Sequence, residues 1–165
     1  MNTNIILAIA PGKRELGVAV FCGFDLIYVS VKTIKHRKSK ELLLEEITGI
    51  LQKLFQSFLI DIVVIKAASQ YQKLSPDLEK IVERIKSESQ QRGLQVVEIM
   101  LEQIKSALCK SEKPTQKNAF KTLLTSYPEL KRYWNRPSKW QNDYYAFLFS
   151  AVAVGAVYLN TLSEG

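Results

Sequence analysis

Three apolar segments rich in β-branched and aromatic residues follow one another within the first 32 residues. They are 5–10, 16–21 and 26–32, and glycine-containing links at 11–14 and 22–25 separate them. Links this short join neighbouring antiparallel strands, whereas parallel strands need a crossover of about a dozen residues or more. The sequence therefore predicts a three-stranded antiparallel sheet at the start of the chain.

The pattern changes to helical spacing after residue 39. Between Leu43 and Phe58, apolar residues recur three and four positions apart, and Ser39 stands where an N-cap is expected. Ser75 and Pro76 open a second helix with a capping residue and a proline at its first position. Each helix is followed by an apolar segment typical of a buried strand, and these segments are 60–66 and 96–100.

Strands that alternate with helices join a sheet in parallel through crossover connections. The predicted fold class is therefore α/β, with a mixed five-stranded sheet, three strands antiparallel and then two parallel, flanked by helices. The remaining segments predict short helices at 101–108 and 116–125, a loop at 127–141 and an apolar helix at 143–159. At 165 residues we expect a single domain over 1–160, with a frayed tail at 161–165.

The apolar helix near the C-terminus is the segment most similar to a membrane span. Residues 144–159 contain only Ser150 as a clearly polar side chain, but a span needs about 20 apolar residues, and a shorter run is typical of a core helix. The first apolar segment is too short for a secretory signal. Cys22 and Cys109 belong to no Cys-x-x-Cys pair and are expected to be reduced. These features predict a cytoplasmic protein without a membrane partner.

The net charge of +7 is concentrated in two segments. The first basic block, residues 31–40, holds five lysines and arginines and no acid. The second basic block, residues 101–141, holds nine basic and three acidic residues. A localised basic surface favours polyanions, and nucleic acid before membrane, whereas the alternative is a set of solvated lysine-rich faces that bind nothing.

The segment 6–20 reads ILAIAPGKRELGVAV. It resembles the first motif of the RuvC-type Holliday junction resolvases, in which a strand ends in Asp-Pro-Gly and a glycine precedes the second strand. The order of elements from residue 6 to about residue 156 also resembles the RNase H-like fold of that family. The resemblance implies two Mg²⁺ ions, held by carboxylates from the first strand, the fourth strand and the last helix, that activate a water for phosphodiester cleavage.

The four carboxylates that the resemblance implies are absent from this sequence. The corresponding positions are Ala10, Lys66, Asn142 and Tyr145, and Asp143 is one residue out of step. An ammonium at residue 66 repels a divalent ion. This lysine either meets a phosphate, or a carboxylate such as Asp143, or extends into solvent at the end of its strand. We therefore predict no catalytic residue, no metal site and no cofactor.

The resemblance also implies a basic pair after the fifth strand, near the substrate backbone. Lys105 matches the first position, and Lys117 matches the second if one residue is inserted. The residues predicted to bind nucleic acid are Lys66, Lys105, Lys110, Lys113, Lys117, Lys121, Arg136 and Lys139. Aromatic and basic residues alternate through 133–140, where Trp134 and Trp140 either stack on bases or pack on the core.

The resulting prediction is a catalytically degenerate RuvC-like protein that binds DNA, branched or duplex, or RNA. One alternative is a protein–protein interaction module or dimer partner, including a homodimer. A second alternative is an active Mg²⁺-dependent endonuclease with a relocated acidic site built from Asp143, Glu98 and Asp61. The position of the two basic blocks discriminates between these hypotheses, because blocks on opposite faces count against a single nucleic-acid track.

Overall fold

The computed structural model describes residues 4–36, 38–68, 73–110 and 112–164. The first half of the chain forms β1 (Ile5–Pro11), β2 (Glu15–Cys22), β3 (Asp25–Thr33), α1 (Lys40–Ser57) and β4 (Ile62–Ala67). The second half forms α2 (Pro76–Gln91), β5 (Gln95–Met100), α3 (Leu101–Leu108), α4 (Gln116–Ser126), a 3₁₀ helix (Pro128–Tyr133) and α5 (Lys139–Glu164).

The five strands form one mixed sheet in the order β3-β2-β1-β4-β5. β1 pairs antiparallel with β2, and β2 pairs antiparallel with β3. β4 lies parallel to β1 on its other side, and β5 lies parallel to β4. This arrangement confirms the predicted α/β fold class and the predicted order of antiparallel and parallel strands. β1 is central because its side chains are apolar on both faces, as a strand covered on both sides requires.

Alternation of side chains divides the core into two layers. The even-numbered side chains of β1, including Ala8 and Ala10, face α3, α4 and α5. The odd-numbered side chains, Leu7 and Ile9, face α1 and α2. Ala8 pairs with Val64 of β4, and Val64 belongs to the α5 layer, so the side chain two residues later, Lys66, lies on the same face as Ala10.

α5 packs directly on β1 and β2. The backbone carbonyl of Phe147 occupies the space that a Cβ would need at Gly17, and the ring of Phe21 does so at Gly155. The helix is long and apolar enough to cross a bilayer, but 61% of its most apolar window is buried in the fold. This burial agrees with the prediction of a core helix.

The start of α5 differs from the sequence expectation. The predicted loop at 127–141 contains a 3₁₀ helix, and α5 begins at Lys139, four residues before the expected start. Ser138 and Gln141 form a capping box, because the Ser138 hydroxyl accepts from the Gln141 N–H at 3.1 Å and the Gln141 side chain accepts from the Ser138 N–H at 3.3 Å. The helix continues to Glu164, past the boundary of the expected frayed tail at 161–165.

Candidate nucleic-acid interface

The carboxyl ends of the three parallel strands meet at one end of the sheet. β1, β4 and β5 finish there, and the pairing of Glu15 with Thr33 brings the start of β2 and the end of β3 to the same end. The turn between β1 and β2 adds the exposed side chains of Lys13 and Arg14. In open α/β sheets, ligands bind outside the carboxyl ends of the strands. We call this region the carboxyl end of the sheet.

Ala10 and Lys66 lie side by side there, on adjacent strands and on the face covered by α5. Ala10 is buried and only 1% exposed. Lys66 is partly buried, and none of the hydrogen bonds or ion pairs described for residues 4–36, 38–68, 73–110 and 112–164 involves its ammonium. Burial, and then the positive charge of Lys105, lower the pKa of Lys66 below its ordinary value.

Lys105 reaches this position because α3 begins at Leu101, immediately after β5 ends. A narrow cleft between the sheet and α3, α4 and α5 is lined by Lys66, Lys105 and Gln116, the first residue of α4. Two ammonium groups therefore neighbour each other at a cleft whose other polar lining, Gln116 and Ser150, is uncharged. Such a pair of ammonium groups attracts an anion and repels a cation.

Asn142 holds the chain segment that precedes α5. Its Oδ1 accepts from the Arg136 N–H at 2.8 Å, and its Nδ2 donates to the Arg136 carbonyl at 3.0 Å. An aspartate lacks the donor that the second bond needs. The Asn142 amide therefore makes both bonds to Arg136, whereas a carboxylate at this position could make only one of them.

Tyr145 belongs to a row of four rings along the start of α5, which we call the aromatic row: Tyr133, Tyr145, Tyr144 and Trp140. The ring centroids of Tyr133 and Tyr145 are 5.0 Å apart, and those of Tyr145 and Tyr144 are 5.3 Å apart. Trp140 stacks on Tyr144 at 5.3 Å with an interplanar angle of 14°. The Tyr144 hydroxyl donates to the Val31 carbonyl at 3.2 Å, which ties the row to the end of β3.

The two tryptophans have different environments. Trp134 is partly buried and packs edge-on against Phe120 and Phe149, with centroid distances of 6.5 and 5.5 Å. Of the two interpretations offered by the sequence, core packing is therefore confirmed for Trp134. Trp140 is 70% exposed, so it does not pack in the core.

The predicted basic residues separate into groups. Lys66, Lys105, Lys117, Arg136 and Lys139 lie at or near the carboxyl end of the sheet. Lys117 lines a shallow pocket with Asn142 and Trp134, and the Arg136 guanidinium donates to the Arg132 carbonyl at 3.2 Å. Lys113 and Lys121 are exposed just before and on α4.

Lys110 lies elsewhere. It lines a groove with Phe24 and Asn160, at the end of the sheet formed by the β2–β3 turn. The sequence grouped it with Lys105 because the two are five residues apart, but Lys105 lies on α3, and Lys110 follows the end of that helix, farther from the carboxyl end. Lys110 is therefore separated from the other members of the predicted set.

The first basic block follows β3 and reaches the same end of the sheet. The Ile34 N–H donates to the Arg14 carbonyl at 2.7 Å. The Glu46 carboxylate accepts from the backbone N–H groups of Lys35 and His36 at 2.9 and 2.8 Å. Partial burial raises the pKa of Glu46, but these two bonds, together with the contact to the His36 ring, outweigh it and lower that pKa below its ordinary value. Arg37, also in this block, lies outside the described residues.

Both basic blocks reach the carboxyl end of the sheet, but they pack on opposite faces of it. Lys32 and Ile34 of the first block lie with α1, whereas Lys105 of the second block lies with α4 and α5. Both flank the start of α5, since the Tyr144 hydroxyl bonds to β3 while Lys117 and Arg136 approach Asn142. By the criterion set by the sequence, this placement counts against a single track along one face, and a polyanion that contacts both blocks has to cross the carboxyl end of the sheet.

The geometry of this fold matches that of known structures. No protein-family model matches the sequence, and no curated protein does. The structure of RuvC from Thermus thermophilus in complex with a Holliday junction substrate is similar to this chain, with a TM-score of 0.77 over 98% of this chain and 96% of that one. The chain has the RuvC fold. A second structure of RuvC from the same organism superposes with a TM-score of 0.74 over 97% and 96% of the two chains.

The resemblance deduced from residues 6–20 is confirmed at the level of the fold, which is RNase H-like. Sequence identity to the two RuvC structures is 15% and 14%, so the similarity establishes the architecture and leaves the chemistry to be argued from the residues of this chain.

The residues present do not fit the Mg²⁺ pair that the RuvC fold implies. Mg²⁺ is held by carboxylate and other oxygen ligands, whereas the end of β1 carries a methyl group and the end of β4 an ammonium. Within 4–36, 38–68, 73–110 and 112–164, no group of three His, Cys, Asp or Glu side chains is placed to hold a metal ion. No catalytic step is therefore derived through a metal.

The three acids of the relocated-site alternative are far apart in the fold. The Asp61 carboxylate accepts from the Ile5 N–H at 2.7 Å, at the end of the sheet where β1 begins. Glu98 faces the α2 layer, where it pairs with Lys86 at 2.9 Å. Asp143 pairs with Lys139 at 3.0 Å on α5. The carboxylate offered as a partner for Lys66, that of Asp143, is thus paired with another lysine.

Proposed function

We propose that this chain binds nucleic acid at the carboxyl end of its sheet and does not cleave it. The observation that carries the proposal is the neighbouring pair of ammonium groups, Lys66 and Lys105, at the end of the sheet that both basic blocks reach. A phosphate that contacts these groups from the mouth of the cleft supplies the negative charge that the cleft lacks. Such contacts dominate nucleic-acid affinity in basic proteins.

The absence of cleavage follows from the same residues. At about 4 Å and an effective dielectric near 20, an ammonium and a divalent cation repel by about 8 kcal/mol. Ala10 offers no ligand, Asn142 uses its amide to hold Arg136, and the ring of Tyr145 packs between two other tyrosines. A two-metal mechanism therefore has neither the ligands nor the electrostatic environment that it requires.

The nucleic acid proposed is DNA, branched or duplex, with RNA as the alternative. Support for branched DNA comes from the RuvC of Thermus thermophilus, which has this fold and is described in complex with a Holliday junction substrate. We also propose a cytoplasmic location, where both cysteines stay reduced.

The test is a fluorescence anisotropy titration with labelled four-way junction, duplex and single-stranded DNA, in EDTA and at about 50 mM salt, where phosphate contacts are strong. The variants are Lys66→Gln and Lys105→Gln, and the matched control is Lys110→Gln, which removes the same charge at the other end of the sheet. We expect each test variant to weaken binding and to reduce the slope of log K against log salt by about 1. Absence of binding by the native chain, or equal losses in all three variants, would refute the proposal.

An interaction module or dimer partner is the second candidate. The observation that favours it is the position of β3 at the edge of the sheet, where Ile27 is exposed and no further strand within the described residues pairs with it. An open edge can pair with a strand of a second chain. Light scattering after size-exclusion chromatography tests for a homodimer, and a monomer at high concentration contradicts it.

A further inference from the structure

Trp140 projects beyond the sheet at the carboxyl end. It lies in the first turn of α5, seven residues before Phe147, whose ring and carbonyl lie against Gly12 and Gly17 near the carboxyl end of the sheet. At 1.5 Å per residue, seven residues place Trp140 about 10 Å beyond that contact. An indole in this position, 70% exposed, buries little area in the fold of its own chain.

The indole is nevertheless held in place. One of its faces stacks on Tyr144, the Tyr144 hydroxyl donates to the Val31 carbonyl, and the edge of Tyr144 meets the ring of Tyr145. Each ring of the aromatic row is thus supported by the next. A supported ring loses little conformational freedom when a ligand stacks on it.

Basic residues precede this ring in the chain. The Lys139 side chain is 91% exposed, and its ammonium pairs with Asp143 on the surface. Arg136 lies in the segment that Asn142 holds, three residues before Lys139. An exposed aromatic ring flanked by cations is complementary to a nucleotide, which offers a flat base and an anionic phosphate together. An apolar protein segment offers no charge to match these cations.

We propose that Trp140 is a stacking platform for an unpaired nucleobase, so that the chain prefers nucleic acid containing unstacked nucleotides to continuous duplex. The inference rests on the proposed function and adds a substrate class to it. A base inside a duplex has both faces covered by its neighbours, whereas an unpaired base has a free face to place on the indole. The loss of such a stack weakens binding by about 5-fold to 150-fold.

The test compares Trp140→Ala and Trp140→Phe with the native chain, using oligo-dT and a duplex of equal length in anisotropy titrations. The matched control is Phe24→Ala, because Phe24 is also an exposed aromatic residue, 61% exposed, but lies at the other end of the sheet. We expect Trp140→Ala to bind oligo-dT at least about 5-fold more weakly with little change for duplex, and Trp140→Phe to retain most of the affinity. Circular dichroism verifies that each variant is folded.

Tryptophan fluorescence gives a second readout, since the only two tryptophans are Trp134, in the core, and Trp140. We expect oligo-dT to quench the native chain and to leave Trp140→Phe unquenched. Equal losses on duplex and oligo-dT, or an effect of Phe24→Ala as large as that of Trp140→Ala, overturn the stacking inference alone. If the native chain binds neither oligo-dT nor duplex DNA, both the proposed function and the stacking inference are wrong.

Discussion

Replacing Lys66 by methionine is expected to stabilise the protein while weakening its binding to nucleic acid. Methionine has an unbranched apolar side chain of similar length, so the contacts of the lysine stem are largely retained. The substitution removes a partly buried ammonium that has no hydrogen bond or ion pair among the described residues. It also removes the repulsion between residue 66 and Lys105.

The expected gain is about 1 kcal/mol in the free energy of unfolding at neutral pH. A buried charged group without a partner costs at least about 1–3 kcal/mol, and we take the low end because Lys66 retains some exposure to solvent. In a chain of this size, 1 kcal/mol corresponds to a rise in Tm of about 2–4 °C.

The pH dependence has a defined sign. The pKa of Lys66 is lowered in the folded state, so the cost of the charged side chain is fully present at pH values below that folded pKa. As the pH rises through the folded pKa towards the ordinary value, the folded chain releases its proton first and the cost declines. The advantage of Lys66→Met over the native chain should therefore be largest below the folded pKa of Lys66 and shrink as the pH rises through it.

Chemical denaturation followed by circular dichroism at several pH values measures this difference. Lys110→Met is the control, because it removes an exposed ammonium at the other end of the sheet and should change the free energy of unfolding little. If Lys66→Met is less stable than the native chain at pH 7, Lys66 has a stabilising partner and the electrostatic reasoning is wrong. If it is more stable and also binds DNA more weakly, the native lysine has a stability cost and a binding benefit.

Three further predictions concern the scaffold and the chemistry. Gly17→Ala should lower the free energy of unfolding by about 2–3 kcal/mol, because the new Cβ overlaps the Phe147 carbonyl. Gly49→Ala, where a Cβ meets nothing within 4 Å, should raise it by about 0.5–1 kcal/mol. Urea unfolding measures both changes, and equal effects contradict the packing of α5 on β2. Asn142→Ala should lower the free energy of unfolding by about 1 kcal/mol and increase proteolysis near residue 136, and an unchanged cleavage pattern would show that the amide does not hold this segment. Junction, flap and duplex DNA should remain intact when incubated with the native chain and Mg²⁺ or Mn²⁺. Cleavage by the native chain that disappears in Asp143→Ala would show that an active site exists.

The elements of the fold were predictable where local chemistry determines them. Ser39 and Ser75 cap α1 and α2 as the sequence indicated, with hydroxyls that accept from the N–H groups three residues later. The start of α5 was predicted too late because the aromatic and basic residues around 134–140 suggested a loop. A Ser-x-x-Gln capping box, Ser138 to Gln141, was the signal that could have corrected it.

The candidate site was predictable only in part. Strand order alone places Ala10 beside Lys66, since the ends of β1 and β4 are adjacent in any sheet of this topology. The separation of Lys110 from Lys105 depends on the direction of α3, which residue spacing does not reveal. The two bonds from Asn142 to Arg136 depend on the conformation of an irregular segment that includes Asn135 at a φ of 53°. No periodic pattern predicts such a conformation.

The contact between Gly17 and the Phe147 carbonyl has a consequence for how this end of the molecule responds to a ligand. Helix and strand backbones that touch without an intervening side chain cannot slide past each other, because the helix carbonyl has no free space in which to move. The start of α5, which carries Trp140 and Asn142, therefore belongs to the same rigid body as the ends of the strands. The distance from the Trp140 indole to Lys66 and Lys105 is therefore fixed when the domain folds. A nucleic acid that contacts all three has to match this distance by bending or unstacking.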